Sequence, residues 1–199
     1  MASTLSATIL PQITTVSANT TYQFTITTPD PITSAGIITI TFPSSIQLAF
    51  TSSNCASVSG ASTNPNPTCT KSGSTLIISN LNLTNSIFPA MTFNINVSGI
   101  INPPSTKPSL SFTISTYYTA SLLSLVSTFT GSPITATAAT LNSALASITP
   151  SSYVAGDSGV TFTITFTTSN TIPIGGSVVI GIPKVITTAI GSVSSSCYY

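Results

Sequence analysis

Charge is almost missing from this chain. Of its 199 residues, only Asp30, Asp157, Lys71, Lys107 and Lys184 are acidic or basic, 3% of the total. Soluble domains usually carry about 25%. Glutamate, arginine, histidine and tryptophan do not occur at all. Each absence excludes something. Without histidine or glutamate, the usual nucleophile–base pairs have no base, and no catalytic residue is assigned. The two aspartates fall in different copies of a repeat, so they form no carboxylate pair for acid–base work. Calcium needs several acidic oxygens in one place and zinc needs histidine or paired cysteines. Neither set is present, so neither a metal nor another cofactor is expected. The net charge of +1 provides no field to attract nucleic acid or anionic lipid.

Long apolar runs are also lacking. Leu122-Leu123-Ser124-Leu125-Val126 is far short of the ~20 residues that span a bilayer. Met1-Ala2-Ser3-Thr4-Leu5 has neither the positive start nor the apolar stretch of a secretory signal. The expectation is a segment of a larger secreted chain.

What the chain does contain is alternation. Hydrophobic residues make up 41%, too much for a disordered Ser/Thr-rich chain. Val160, Phe162, Ile164 and Phe166 alternate with four threonines, the period of a strand with one buried and one wet face. After a loop comes Ser177-Val178-Val179-Ile180-Gly181-Ile182-Pro183. An earlier pair matches it: Tyr22-Gln23-Phe24-Thr25-Ile26-Thr27-Thr28, then Gly36 to Pro43. Phe162 lies 138 residues after Phe24 and Pro183 lies 140 after Pro43, so the second loop reads as two residues longer. Ile9-Leu10-Pro11 matches Ile148-Thr149-Pro150, and Ser53-Asn54-Cys55 matches Ser195-Ser196-Cys197. This is an internal repeat.

Further strands follow in order: Thr75 to Ser79 burying Leu76 and Ile78; Met91, Phe93, Ile95 and Val97; Leu110, Phe112 and Ile114; and a return through Leu123, Leu125 and Phe129. Pro29-Asp30-Pro31, Asn102-Pro103-Pro104 and Gly131-Ser132-Pro133 break between them. Many short strands at turn-punctuated intervals predict an all-β chain of tandem antiparallel Ig-like β-sandwich modules. Residues 1–140 form a complete module and residues 141–199 the N-terminal part of a second. That second part lacks counterparts of Thr75–Ser79, Met91–Val97 and Leu110–Tyr117. Its apolar face is therefore expected to be covered by further chain of the same polypeptide or by strands of a neighbour, as in β-strand complementation. The unmatched Cys197 favours further chain.

Cys55 and Cys69 flank a Gly/Asn/Pro-rich loop, where a disulfide suits an oxidising compartment. Cys197, aligned with Cys55, has no partner in this segment; an intermolecular bridge is the alternative. The sequons Asn19-Thr20-Thr21, Asn82-Leu83-Thr84 and Asn96-Val97-Ser98 are candidate glycosylation sites. Covalent glycans would supply the solubility that so little charge does not. Lys71 or Lys107 with Asp30 are the candidates for a self-formed Lys–Asn isopeptide bond, and Tyr117-Tyr118 and Tyr198-Tyr199 for carbohydrate stacking. The bland readings, a turn residue for Asp30 and core plus rim for the tyrosine pairs, stand beside both.

Both copies resemble a repeat of very large secreted or surface proteins of ciliates and some prokaryotes. The likeness lies in Ile148-Thr149-Pro150-Ser151, Ala155-Gly156, Val160 to Thr168, Ile172-Pro173 and Val178 to Pro183. Phe112 to Tyr117 and Ile134 to Ala138 are similar to the strands that close such a module. The resemblance implies a tandem array outside the cell and no catalytic residues. The expected function is an extracellular structural protein whose modules self-associate into a filament, appendage or coat. The alternative is an adhesin or glycan-binding module, whose end loops would recognise a ligand.

Overall fold

The alternating runs become strands, and the breakers end them. A computed structural model describes residues 2–33, 35–50, 56–60, 67–81, 91–118, 124–140, 146–168, 172 and 177–181; for 56–60 only the backbone is described. All regular structure in these residues is β. In chain order the strands are β1 (Ser3–Thr4), β2 (Ser6–Pro11), β3 (Asn19–Thr28), β4 (Ile37–Thr41), β5 (Gln47–Leu48), β6 (Ala56–Gly60), β7 (Thr68–Ser72), β8 (Thr75–Ser79), β9 (Met91–Ile101), β10 (Phe112–Tyr117), β11 (Leu125–Gly131), β12 (Ala146–Pro150) and β13 (Phe162–Phe166).

Three sheets result. One runs β1-β11-β10-β4-β8-β7 and is mixed, because β1 lies parallel to β11. Another runs β2-β3-β9-β5, with β6 also on β9. The third is the pair β12-β13. The N-terminal segment passes from one large sheet to the other at the buried Leu5, with β1 in the first and β2 in the second.

The two large sheets enclose one core. Tyr22, Phe24 and Ile26 of β3, Phe93 and Ile95 of β9, Ile38 and Ile40 of β4, and Phe112 and Ile114 of β10 are all fully buried. These are the residues that the period of two placed on inner faces. Phe24, Phe42 and Phe112 meet edge to face with ring centroids 5.3–6.0 Å apart, the arrangement the ring quadrupoles prefer. Burying each such ring is worth roughly 1.5–3 kcal/mol, so this cluster is a principal anchor between the sheets.

Two inward expectations are corrected. Leu110 is 74% exposed. Ser109 and Ile134 tie their backbones together at 2.8 Å and take the inward positions, so the strand begins only at Phe112. Leu125 is 46% exposed. The ladder between β10 and β11 shifts between Thr116 and Tyr117, and that irregularity turns Leu125 out and both Val126 and Ser127 in. The connector after β11 is packed rather than free, with Ile134 and Ala136 buried and Thr137 bridged in parallel to Thr15.

The hairpin β12-β13 corrects the alignment of the repeat. Its register pairs Pro150 with Phe162, Ile148 with Ile164 and Ala146 with Phe166. The pair β2-β3 aligns Pro11 with Tyr22, Ile9 with Phe24 and Ala7 with Ile26. Phe162 thus occupies the place of Tyr22, not of Phe24, and Ile164 that of Phe24. The offset along β13 is 140 residues, the same as from Pro43 to Pro183. The loop to that proline therefore needs no insertion. A strand slipped by two residues keeps every side chain on its face, so alternation alone could not separate the two alignments.

Candidate functional site

Among the described residues the charged side chains do not converge. Asp30 accepts a hydrogen bond from the Ser3 hydroxyl. Lys71 donates to the Leu48 carbonyl, reaching from one large sheet to the other. Lys107 is exposed in a loop, and Asp157 sits in a turn closed by its own backbone N–H to the Val154 carbonyl at 3.2 Å. Asp30 and Lys71 thus engage different partners. Lys184 lies outside the described residues. Among the described residues no three His, Cys, Asp or Glu side chains gather as metal ligands, and no helix is long and apolar enough to cross a membrane.

One polar constellation is deeply buried, and the sequence reading passed over it as a strand break. Tyr22 Oη donates to Asn102 Oδ1 at 2.7 Å. Asn102 Nδ2 donates to the carbonyls of Ile13 and Thr15 at 2.7 and 2.8 Å. Its backbone N–H reaches Ala18 O at 3.0 Å. One amide thus ties the loop between β2 and β3 to the end of β9. Burial without a charged partner pushes the Tyr22 phenol far above its ordinary pKa, so it stays protonated as the donor. The only sequence signal is a polar residue directly before two prolines, which usually marks a turn. In the repeat, Phe162 stands at the Tyr22 position and has no hydroxyl to donate.

The outer faces carry hydroxyls in rows. Across β11, β10, β4, β8 and β7 run Thr130, Thr113, Thr41, Thr75 and Ser72, each opposite the next. Thr41 and Thr75 bond at 3.0 Å, and Ser115 and Thr128, one row on, at 3.2 Å. The other sheet repeats the device with Thr27 to Thr92 and Thr25 to Asn94, both at 3.0 Å. Such cross-strand pairs contribute roughly 0.2–1 kcal/mol each. They leave neutral faces with no group to act as a base.

Of the glycosylation candidates, Asn19 is exposed at the start of β3, and Asn96 is half-buried on the outward side of β9, opposite Gln23. Asn82 lies outside the described residues, as do Cys55, Cys197 and the pair Tyr198-Tyr199. Cys69 is buried in β7 opposite Ile78. Tyr117 is half-buried within β10 and Tyr118 is 40% exposed just beyond it, so this pair does not present two stacked rings on one face.

The remaining feature is the bare hairpin. Phe24 and Ile9 are 0% and 5% exposed, whereas Phe162 and Ile148, on the same face of the repeated hairpin, are 43% and 63% exposed. Val178, Val179 and Ile180 are exposed as well and form no strand, although Ile37–Thr41 at the equivalent place is the central β4.

No family model and no curated protein matches this chain. Among solved structures it is similar to the crystal structure of BslA, a bacterial hydrophobin, at 16% identity and a TM-score of 0.36, over 68% of this chain and 98% of that one. A likeness this distant carries no argument about function.

Proposed function

We propose that the chain is an extracellular structural protein, in which tandem Ig-like β-sandwich modules, 1–140 and the opening of a second over 141–199, build a filament, appendage or surface coat. One observation carries the reading: the same hairpin occurs twice, β2-β3 and β12-β13, in the same register. A chain that repeats a structural unit at a fixed period is a chain that stacks it. The neutral hydroxyl rows support it further. Faces without charge do not repel one another as charged surfaces do, and they suit close association or covalent glycans. The partners of this reading are other modules of the same kind and attached glycans, with no nucleic acid, no membrane span and no cofactor. The chain acts as scaffold, not as an enzyme.

Electron microscopy of natively sourced material, with antibody labelling of unpermeabilised cells, tests the proposal. Labelled fibres or a layer outside the cell are expected. Label confined to the cytoplasm, with the protein extracted as a monomer, would overturn it.

A further inference from the structure

The first and last segments of residues 3–137 meet twice, and both times in parallel. Ser3 lies opposite Ser127 and Thr4 opposite Thr128, and the Leu5 N–H reaches Thr128 O at 3.2 Å. At the far end of β2, Thr15 is bridged in parallel to Thr137. There the Thr137 N–H donates to Thr14 O at 2.8 Å and the Val16 N–H to Thr137 O at 2.9 Å. The hydroxyls of Thr14 and Thr137 add a bond at 3.1 Å. Partners lie 124 residues apart at Ser3 and 122 at Thr15, so the two segments set out together and arrive together. Each contact is braced from behind. The Ser3 hydroxyl is held by the Asp30 carboxylate. The carbonyls of Ile13 and Thr15 are held by the buried Asn102 amide at 2.7 and 2.8 Å, which gives that interior network a load to support.

We propose that residues 3–137 are a tension-bearing unit, in which these two parallel contacts act as clamps that resist a pull applied through Ser3 and Thr137. The reason is direction. Ladder bonds run across the strands rather than along them. Where first and last strands are antiparallel neighbours, a pull through the chain enters and leaves at one end and opens the bonds singly. Here the strands are parallel, so the pull enters at Ser3 and leaves at Thr137, at opposite ends of the sandwich. The segments can separate only by sliding along one another, which loads the bonds of each contact together. Sliding also drags Leu5, Ile134 and Ala136 out of buried sites, so apolar exposure adds to the barrier. The inference rests on the tandem reading of the proposed function, since a link in a series is pulled through both its ends. The two fail separately. Directional resistance in a protein found only inside the cell would remove the array and leave the clamps, and labelled fibres of a chain without directional resistance would do the reverse.

The test is single-molecule pulling of the full chain in reductant, with handles joined to its two ends. Thr137 lies 134 residues after Ser3, so the event of interest releases about 450 Å of extended chain and is recognised by that length. The comparison pulls the same chain through the exposed Ser74, in the turn between β7 and β8, and the exposed Lys107, in the loop before β10. That pull acts across the β10-β4-β8 ladder and opens it bond by bond. Forced unfolding follows the unfolding rate, and at equal force the end-to-end rate should be slower by roughly tenfold or more. Val16→Pro and Thr137→Pro each delete one N–H donor of the far clamp. Each should raise the end-to-end rate by roughly five- to tenfold and leave the Ser74–Lys107 rate within about twofold. If urea shows that neither variant folds, Thr14→Ala, which removes only the hydroxyl bond, is read the same way with a smaller rise. Equal rates along the two directions in the parent chain would overturn the proposal. So would variants that speed unfolding equally in both, because that is general destabilisation and not a clamp.

Discussion

Tyr22 and Asn102, 80 residues apart, share a 2.7 Å hydrogen bond in the interior. Asn102 passes the connection to the carbonyls of Ile13 and Thr15. Removing the hydroxyl with Tyr22→Phe leaves Asn102 Oδ1 buried with one bond fewer and should cost about 1–3 kcal/mol. Asn102→Ala strands two carbonyls and should cost more. Urea unfolding of the two variants, read at unchanged m-value, checks the order.

The same phenol makes stability depend on pH at the alkaline end. Unfolded tyrosine loses its proton near pH 10, whereas burial raises the folded value above that. Above pH 10 the unfolded state therefore binds fewer protons than the native state, and stability falls as pH rises. Below about pH 10 this contribution is present in full. Denaturation midpoints between pH 9 and 11 should fall less steeply for Tyr22→Phe than for the parent chain.

The two copies of the hairpin should respond differently to truncation. Phe24→Ala empties a fully buried site among Tyr22, Phe42 and Phe112 and should cost about 3–5 kcal/mol. Phe162→Ala acts on a ring 43% exposed and should stay within about 0.5 kcal/mol. Differential scanning calorimetry of both variants decides this. A comparable loss in each would mean the second hairpin is covered in solution.

A bridge between Cys55 and Cys69 is proposed for the oxidised chain. Closing a loop of this length is worth about 3 kcal/mol in the chain-entropy model, and Cys69 is buried against β8. Peptide mapping without reductant should recover the linked pair. Two free thiols on secreted material would remove the bridge and weaken the extracellular assignment with it.

Glycan occupancy should follow exposure. Asn19 is exposed at the start of β3, while Asn96 is half-buried in the middle of a sheet. On natively sourced protein Asn19 should therefore be the more fully modified of the two, with an intact mass above the bare 20.2 kDa. Site-resolved mass spectrometry gives both numbers.

By itself the sequence determined the class of fold, the positions of most strands and the inner face of nearly every long one. A period of two is a local property, and Phe24, Ile40, Phe93 and Ile114 could be placed in the core from their neighbours alone. It also determined that titratable chemistry is scarce, because residue types that are absent cannot be supplied by folding. Register belonged to the tertiary structure. Slipping β13 by two residues changes no face, so only its ladder with β12 could set Phe162 on Tyr22. The turning-out of Leu125 depends on a ladder irregularity with β10, and the passage of the N-terminal segment from one sheet to the other depends on β11, 123 residues on from Ser3 to Val126. The Tyr22–Asn102 bond was invisible for the same reason. A hydrogen bond between residues so far apart in sequence leaves no periodic trace, and only the closed sandwich brings its two ends together.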